Sequence, residues 1–240
     1  MLLPGRSIET EALVVQRTPY ADADWIITLF TFRLGKVSAI ASRARVSKRR
    51  YSGGLEAFHN LTVRLRAAQH GEMLQLTEAS ISQARYGLVS ELEAMQTAGR
   101  AISWLRRAFP PRIVEPLAWK LTQNCLNALD NNPPKDAPNA NARLAEYGLQ
   151  LLDILGWSLE LERCVRCNKP CPATASAYLS PSLGGIVCRA CGGTGLVLSA
   201  NYRANLQRVA RLGVEVLSAE EGTATLRVVE RTLELHAGIE

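Results

Sequence analysis

The sequence predicts an α+β chain of several units: an amino-terminal OB-type β-barrel, a central α-helical domain, and a four-cysteine zinc module inserted before carboxy-terminal helices. Three observations predict it. Over roughly the first 80 residues apolar and polar positions alternate and are broken by Gly, Pro and Asp. From Arg85 the apolar spacing changes to three and four. Two C-x2-C pairs, Cys164 with Cys167 and Cys188 with Cys191, then follow with 20 residues between them. The expected units are 1–80 (barrel), 81–160 (helices), 161–196 (zinc module) and 197–240 (final helices packing on the helical domain).

The first strand is expected from Glu9 to Gln16, with Ala12-Leu13-Val14-Val15 apolar on both faces. Pro19 and Asp22 mark a turn before Trp25-Ile26-Ile27-Thr28-Leu29-Phe30. Gly35 turns the chain into a third strand, Lys36 to Ala41. After a long irregular connection, Leu61, Val63 and Leu65 alternate with Thr62, Arg64 and Arg66, and His70-Gly71-Glu72 turns into Met73 to Glu78. Five short strands with a long connection after the third suit a small closed or partly closed barrel, with an open antiparallel sheet as the alternative. Tyr20, Trp25, Phe30, Phe32, Tyr51 and Phe58 are candidates for base stacking. Most are assigned to the core, because their neighbours alternate as buried strands do; Tyr51, between Arg50 and Ser52, is the least core-like.

Between Trp25 and Leu55 the chain carries Arg33, Lys36, Arg43, Arg45, Lys48, Arg49 and Arg50 and no Asp or Glu. Uncompensated positive charge attracts a polyanion, most commonly nucleic acid; the bland alternative is a solvated loop. The excess of 28 basic over 22 acidic residues also favours an acidic partner.

Leu88, Leu92, Met95, Gly99, Ile102, Leu105 and Phe109 predict one helix, ended by Pro110-Pro111. Ile113, Leu117, Leu121, Cys125 and Leu129 predict a second, with Pro116 in its first turn and Cys125 a buried small residue. Asn131 to Ala142, with three prolines, is expected as a loop; Leu144, Tyr147, Leu151 and Leu155 form a third helix ending near Gly156. Tyr202, Leu206, Val209, Ala210 and Leu217 predict another helix with Arg203, Arg208 and Arg211 on a solvated face. Leu226, Val229, Leu233 and His236 predict the last.

No apolar run is long enough for a membrane span, and Met1 to Arg6 lacks a signal core, so a cytoplasmic protein is expected. Thiols stay reduced there, and paired cysteines then suggest metal. Two knuckles would bring four thiolates to one zinc ion, leaving no open position, which implies a structural staple. Cys171 is a spare thiol that could replace Cys167. Gly192-Gly193-Thr194-Gly195 lacks the Lys-Ser/Thr of a P-loop. No Gly-x-Ser-x-Gly elbow occurs, and His59, His70 and His236 show no ligand spacing, so no enzyme is expected.

Glu11-Ala12-Leu13-Val14-Val15, Tyr20 to Thr31, Gly35-Lys36-Val37-Ser38-Ala39 and Arg43 to Lys48 resemble the amino-terminal domain of the bacterial RecO family of recombination mediators. Leu155-Gly156-Trp157, Leu159 to Cys167 and Gly184 to Cys191 are similar to that family's cysteine module. Ser42 stands where the family often has Gly, and Trp25 where a polar residue is usual. The resemblance implies an OB domain, a helical domain and a zinc module without catalytic turnover. It also implies binding of single- and double-stranded DNA, annealing of complementary strands, and work with RecR and single-strand-binding protein to load RecA, in the cytoplasm at the nucleoid. It maps the basic surface onto Lys36, Arg43, Arg45, Lys48, Arg49 and Arg50, and the zinc ligands onto Cys164, Cys167, Cys188 and Cys191. A zinc-stapled scaffold binding acidic proteins is the alternative function.

Overall fold

The amino-terminal strands close on themselves. The computed structural model describes residues 5–46, 50–52, 55–68, 73–213 and 216–239, and in it six strands form this sheet: β1 (Ser7–Tyr20), β2 (Asp24–Thr31), β3 (Gly35–Ala41), β4 (Tyr51–Ser52), β5 (Asn60–Ala67) and β6 (Leu74–Gln83). The expected turn at His70-Gly71-Glu72 lies outside the described residues. β1 outruns the predicted Glu9 to Gln16 because it serves two partners. Ser7 to Ala12 pair with β5, and Ala12 to Tyr20 pair with β2. The register shifts between Val14 and Gln16, a bulge that bends the strand from one neighbour to the other. Parallel pairing of Ala39 with Leu74 and of Ile40 with Gln75 closes the ring, so the predicted barrel, not the open sheet, is what forms.

Alternation sets the two faces. Val14, Ile27, Leu29, Val37, Leu61 and Val63 point inward and are buried. Phe30 points outward yet is fully buried, its ring 6.0 Å from Phe109 and 6.3 Å from Trp119. Tyr51 corrects the sequence reading. Tiny β4 pairs with β6 within the basic connection and turns this ring into the barrel core, where its hydroxyl lies 3.2 Å from both the Ser42 and Leu76 carbonyls. Burial raises its pKa above the usual phenol value.

The first predicted helix is two, α1 (Tyr86–Ser90) and α2 (Leu92–Ala108). Leu92 and Gly99 are exposed, because α2 buries a face of small residues instead: Ala94, Ala98 and Ala101, with Ile102 and Leu105. α3 (Pro116–Asn131) is rotated from its predicted stripe. Ala118, Trp119, Thr122, Leu126 and Leu129 are buried, Ile113 and Leu117 are exposed and Cys125 is only half-buried. Thr122 is tolerated inside because its hydroxyl donates to the Ala118 carbonyl at 2.8 Å. α4 (Ala137–Ile154) begins inside the expected loop. Asp136 caps it by accepting the Asn139 amide at 2.9 Å, and Pro138 falls in the first turn, where a missing N–H is harmless.

Three short strands follow, β7 (Ala177–Ser180), β8 (Gly185–Val187) and β9 (Leu196–Leu198), in the order β8-β7-β9. α5 (Ala200–Leu212) ends at Gly213 with φ of 62°, which leaves Leu217 in the connection rather than on the helix. α6 (Ala219–Ala237) starts with a capping box between Ser218 and Glu221. His236 is exposed and stacks on Trp157 at 5.4 Å instead of continuing the buried stripe. The chain divides into two compact units, Met1–Ser90 with Ile102–Asn132, and Glu91–Ala101 with Pro133–Glu240. Among the described residues no helix is long and apolar enough to cross a membrane.

Candidate metal centre and nucleic-acid interface

The sulfurs of Cys164, Cys167, Cys188 and Cys191 all lie within 4.8 Å of one another. Each pair sits on a tight turn. The Asn168 amide donates to the Cys164 carbonyl at 2.8 Å in the first, and the Cys191 amide to the Cys188 carbonyl at 3.0 Å in the second. Arg166 ties the turns together, its Nη1 donating to the Cys191 carbonyl at 2.8 Å. Ligand bonds of about 2.3 Å to a tetrahedral zinc place sulfurs about 3.8 Å apart, and Cys167 and Cys188 are separated by 3.9 Å, so the donor set fits that ion. Cys171 is outside the cluster, its sulfur 4.0 Å from the Ala175 carbonyl.

Crowding four thiols makes their protons unequal. Backbone amides, that of Cys188 first and that of Cys167 next, pull the Cys164 thiol down to about 6. The Cys188 and Cys167 thiols beside Cys191 push it up to about 12. A divalent cation held by these four residues would remove this conflict, binding all four as thiolates.

Helix α5 braces the module; Arg203, which the sequence suggested was solvated, is inside, whereas Arg208 and Arg211 are exposed as expected. Arg203 is buried and donates to the Cys171 and Pro172 carbonyls, Gln207 reaches the Leu161 carbonyl at 3.5 Å, and Arg211 pairs with Glu162. Positions 203, 207 and 211 are four apart and share one helical face, a spacing visible in the sequence; their carbonyl partners are not.

The basic residues of the barrel do not form one patch. Arg33 lies in the β2–β3 turn, whereas Arg43, Arg45 and Arg50 lie beyond the other end of β3, whose seven residues at about 3.3 Å each separate the two groups by roughly 20 Å. Lys36 is engaged elsewhere. Its ammonium donates at 2.6 Å to the Arg106 carbonyl in the last turn of α2, and burial, reinforced by Arg106, lowers its pKa. Lys48 and Arg49 lie outside the described residues.

The loop of Arg43 and Arg45 is anchored at its base. Asp24 accepts the Arg43 amide at 2.7 Å, holding that residue at φ of 56°, and Arg45 donates through its amide to the Ala23 carbonyl and through Nη1 to the Asp22 carbonyl, at 3.1 and 3.0 Å. Arg50 lies with its guanidinium carbon 6.0 Å from the Tyr51 ring centre. All three side chains are exposed and, among the described residues, none is in an ion pair. Sequence reasoning missed Arg17. It stacks 5.3 Å over Trp25 and bonds Glu56 at 3.1 Å, through contacts 38 and 39 residues away that no local pattern announces.

Comparison with known proteins decides the family. The model described as "Recombination protein O N terminal" matches residues 6–85, and "Recombination protein O C terminal" matches 89–240. The chain belongs to the RecO family. Among its RecO relatives, "DNA repair protein RecO" of Geobacter metallireducens is 32% identical over 207 residues, covering 86% of this chain and 82% of that protein. That of Geobacter sulfurreducens is 34% identical over 193 residues, covering 80% and 76%. That of Anaeromyxobacter dehalogenans (strain 2CP-C) is 28% identical over 239 residues, covering 96% and 92%.

Proposed function

We propose that this RecO-family chain is a DNA-binding recombination mediator, acting by holding strands and not by turning over a bond. It binds single- and double-stranded DNA, anneals complementary strands and, with RecR, helps load RecA onto strands coated by single-strand-binding protein, in cytoplasmic recombinational repair at the nucleoid. The carrying observation is the set Arg43, Arg45 and Arg50, exposed and, among the described residues, in no ion pair, in the connection after β3, whose Arg43 and Arg45 are pinned to a closed barrel. Such a surface neutralises phosphates without reading bases. Lys48 and Arg49 extend the same stretch in sequence. The four clustered cysteines hold one zinc ion, whose four protein ligands leave no open position and make it a staple.

The test is salt. For unrelated single strands, log affinity is expected to fall linearly with log salt, by about 0.7 per neutralised phosphate, and replacing Arg43, Arg45 and Arg50 by Gln makes the slope shallower by about 2. Affinity independent of salt, or capture of acidic proteins with no DNA binding, would instead favour a zinc-stapled scaffold.

A further inference from the structure

The zinc module carries four more exposed cations, Arg163, Arg166, Lys169 and Arg189, all within or beside the two cysteine turns. Among the described residues none of them is in an ion pair, although acids are close in the chain. Those acids are occupied. Glu160 accepts the amides of Glu162 and Arg163, at 2.7 and 3.0 Å, and Glu162 pairs with Arg211 from α5.

The backbone also holds two of the cations, Arg163 and Arg166, in place. Arg166 reaches across to the Cys191 carbonyl, which lays its guanidinium on the turn that bears Arg189. Arg163 Nη1 donates to the Asn168 carbonyl at 3.3 Å, beside Lys169. Guanidinium groups ordered in advance lose less freedom when an anion docks, and their remaining donors match phosphate oxygens.

We infer that these four residues form a second phosphate-binding surface, on the unit that does not contain the barrel, which takes the backbone of single-stranded nucleic acid. This rests on the DNA-binding function proposed above. A competing explanation is charge balance, since four thiolates around one divalent ion leave a net charge of about −2 that nearby cations would offset. Charge balance makes its demand on zinc retention, phosphate binding on DNA affinity.

The experiment uses the full-length, zinc-loaded chain with Lys169 and Arg189 both replaced by Gln, because neither side chain has a hydrogen-bond partner among the described residues. Oligothymidylate affinity is titrated against salt alongside the unaltered chain and the Arg43/Arg45/Arg50→Gln variant, and zinc content is measured. The expected result is unchanged zinc, weaker binding at low salt and a slope shallower by about 1.4, two phosphates at about 0.7 each. Loss of zinc from the double variant, or retained zinc with an unaltered slope, overturns the second surface in favour of charge balance. If the barrel-loop variant alone becomes shallower, only the second surface falls; if the unaltered chain has no salt-dependent affinity, both fall.

Discussion

Arg85 is the largest side chain that the described protein buries completely, and its partners are neutral. Its guanidinium donates to the Phe58 carbonyl, Gln123 Oε1 and Asn127 Oδ1, and its amide donates to His59 Nδ1 at 3.0 Å. Burial lowers its pKa, an effect that neighbouring Asp130 opposes. Arg85→Met would take a donor from three half-buried acceptors, and a loss of about 1–3 kcal/mol in denaturant unfolding is expected. Arg85→Lys is not expected to restore it, because an ammonium lacks the planar fork. His59 must stay neutral at Nδ1 to accept, and burial first, then Arg85, lowers its pKa. The unfolded chain therefore binds the proton more readily. Stability is present above the unfolded value of about 6.5 and is lost as pH falls through that value toward the lower folded one. His59→Gln keeps an acceptor and should flatten this loss in urea midpoints measured between pH 7.5 and 5.5; an unchanged profile would remove His59 as its source. None of this was legible, since Arg85 reads as a charge at a strand–helix junction and its acceptors come from positions 58, 123 and 127.

At the scale of elements, close approach explains both what the periodicity caught and what it missed. A Cβ on Gly222 of α6 would stand 2.3 Å from the Cα of Ala142 in α4, a clash with backbone that cannot rotate away. Gly222→Ala gains about 1 kcal/mol of helix propensity, yet a net loss of about 1–3 kcal/mol is expected. Gly99→Ala on α2 meets nothing within 4 Å and is expected to stabilise by up to about 1 kcal/mol, so thermal melts of the pair separate packing from propensity. The sequence revealed that these helices exist, because Leu and Ile recur at three and four. It placed Ile102, Leu105 and Leu129 on the buried faces correctly and Leu92, Gly99 and Leu117 wrongly, because Ala94, Ala98 and Ala101 in α2 and Ala118 and Thr122 in α3 are small buried residues that a reading weighted by side-chain size passes over. The cysteine turns were legible for the opposite reason: C-x2-C fixes two sulfurs locally, and the structure brings all four together. Chelation or Cys188→Ser is therefore expected to release zinc and loosen Arg163 to Gly195, read as faster amide exchange there, while Cys171→Ser retains the metal.

Across the whole molecule, the sequence made the excess of positive charge visible but not its partition. The seven basic residues between Trp25 and Leu55 read as one stretch, and a strand in the middle of it sends Arg33 and Arg43 to opposite ends of the barrel, while Lys36 is drawn to the end of α2. Charge run and charge patch coincide only where the chain turns back on itself, as it does from Arg43 to Val46. That distinction bears on annealing. Two strands repel through their phosphates, and a protein that brings them together must screen this repulsion while leaving the pairing edges free. Of the aromatic candidates, Tyr51 and Phe30 are buried and Trp25 is half-buried against the barrel core beneath Arg17, which leaves Tyr20 and Phe32 as the exposed rings. On the function proposed above, guanidinium groups on an anchored loop would supply the screening. Arg43/Arg45/Arg50→Gln is thus expected to slow annealing of complementary strands by at least about tenfold at low salt, and to weaken single- and double-stranded binding by similar factors. Zinc content and melting temperature should stay unchanged, because among the described residues those side chains contribute no ion pair and only Arg45 a hydrogen bond to the fold. Tyr20→Ala, which removes a half-exposed ring from the same end of the barrel, should slow annealing far less. The decisive comparison is the ratio of the two rates: a larger loss from Tyr20→Ala than from the arginine variant would mean that strands are held by stacked bases, and annealing by phosphate screening would have to be abandoned.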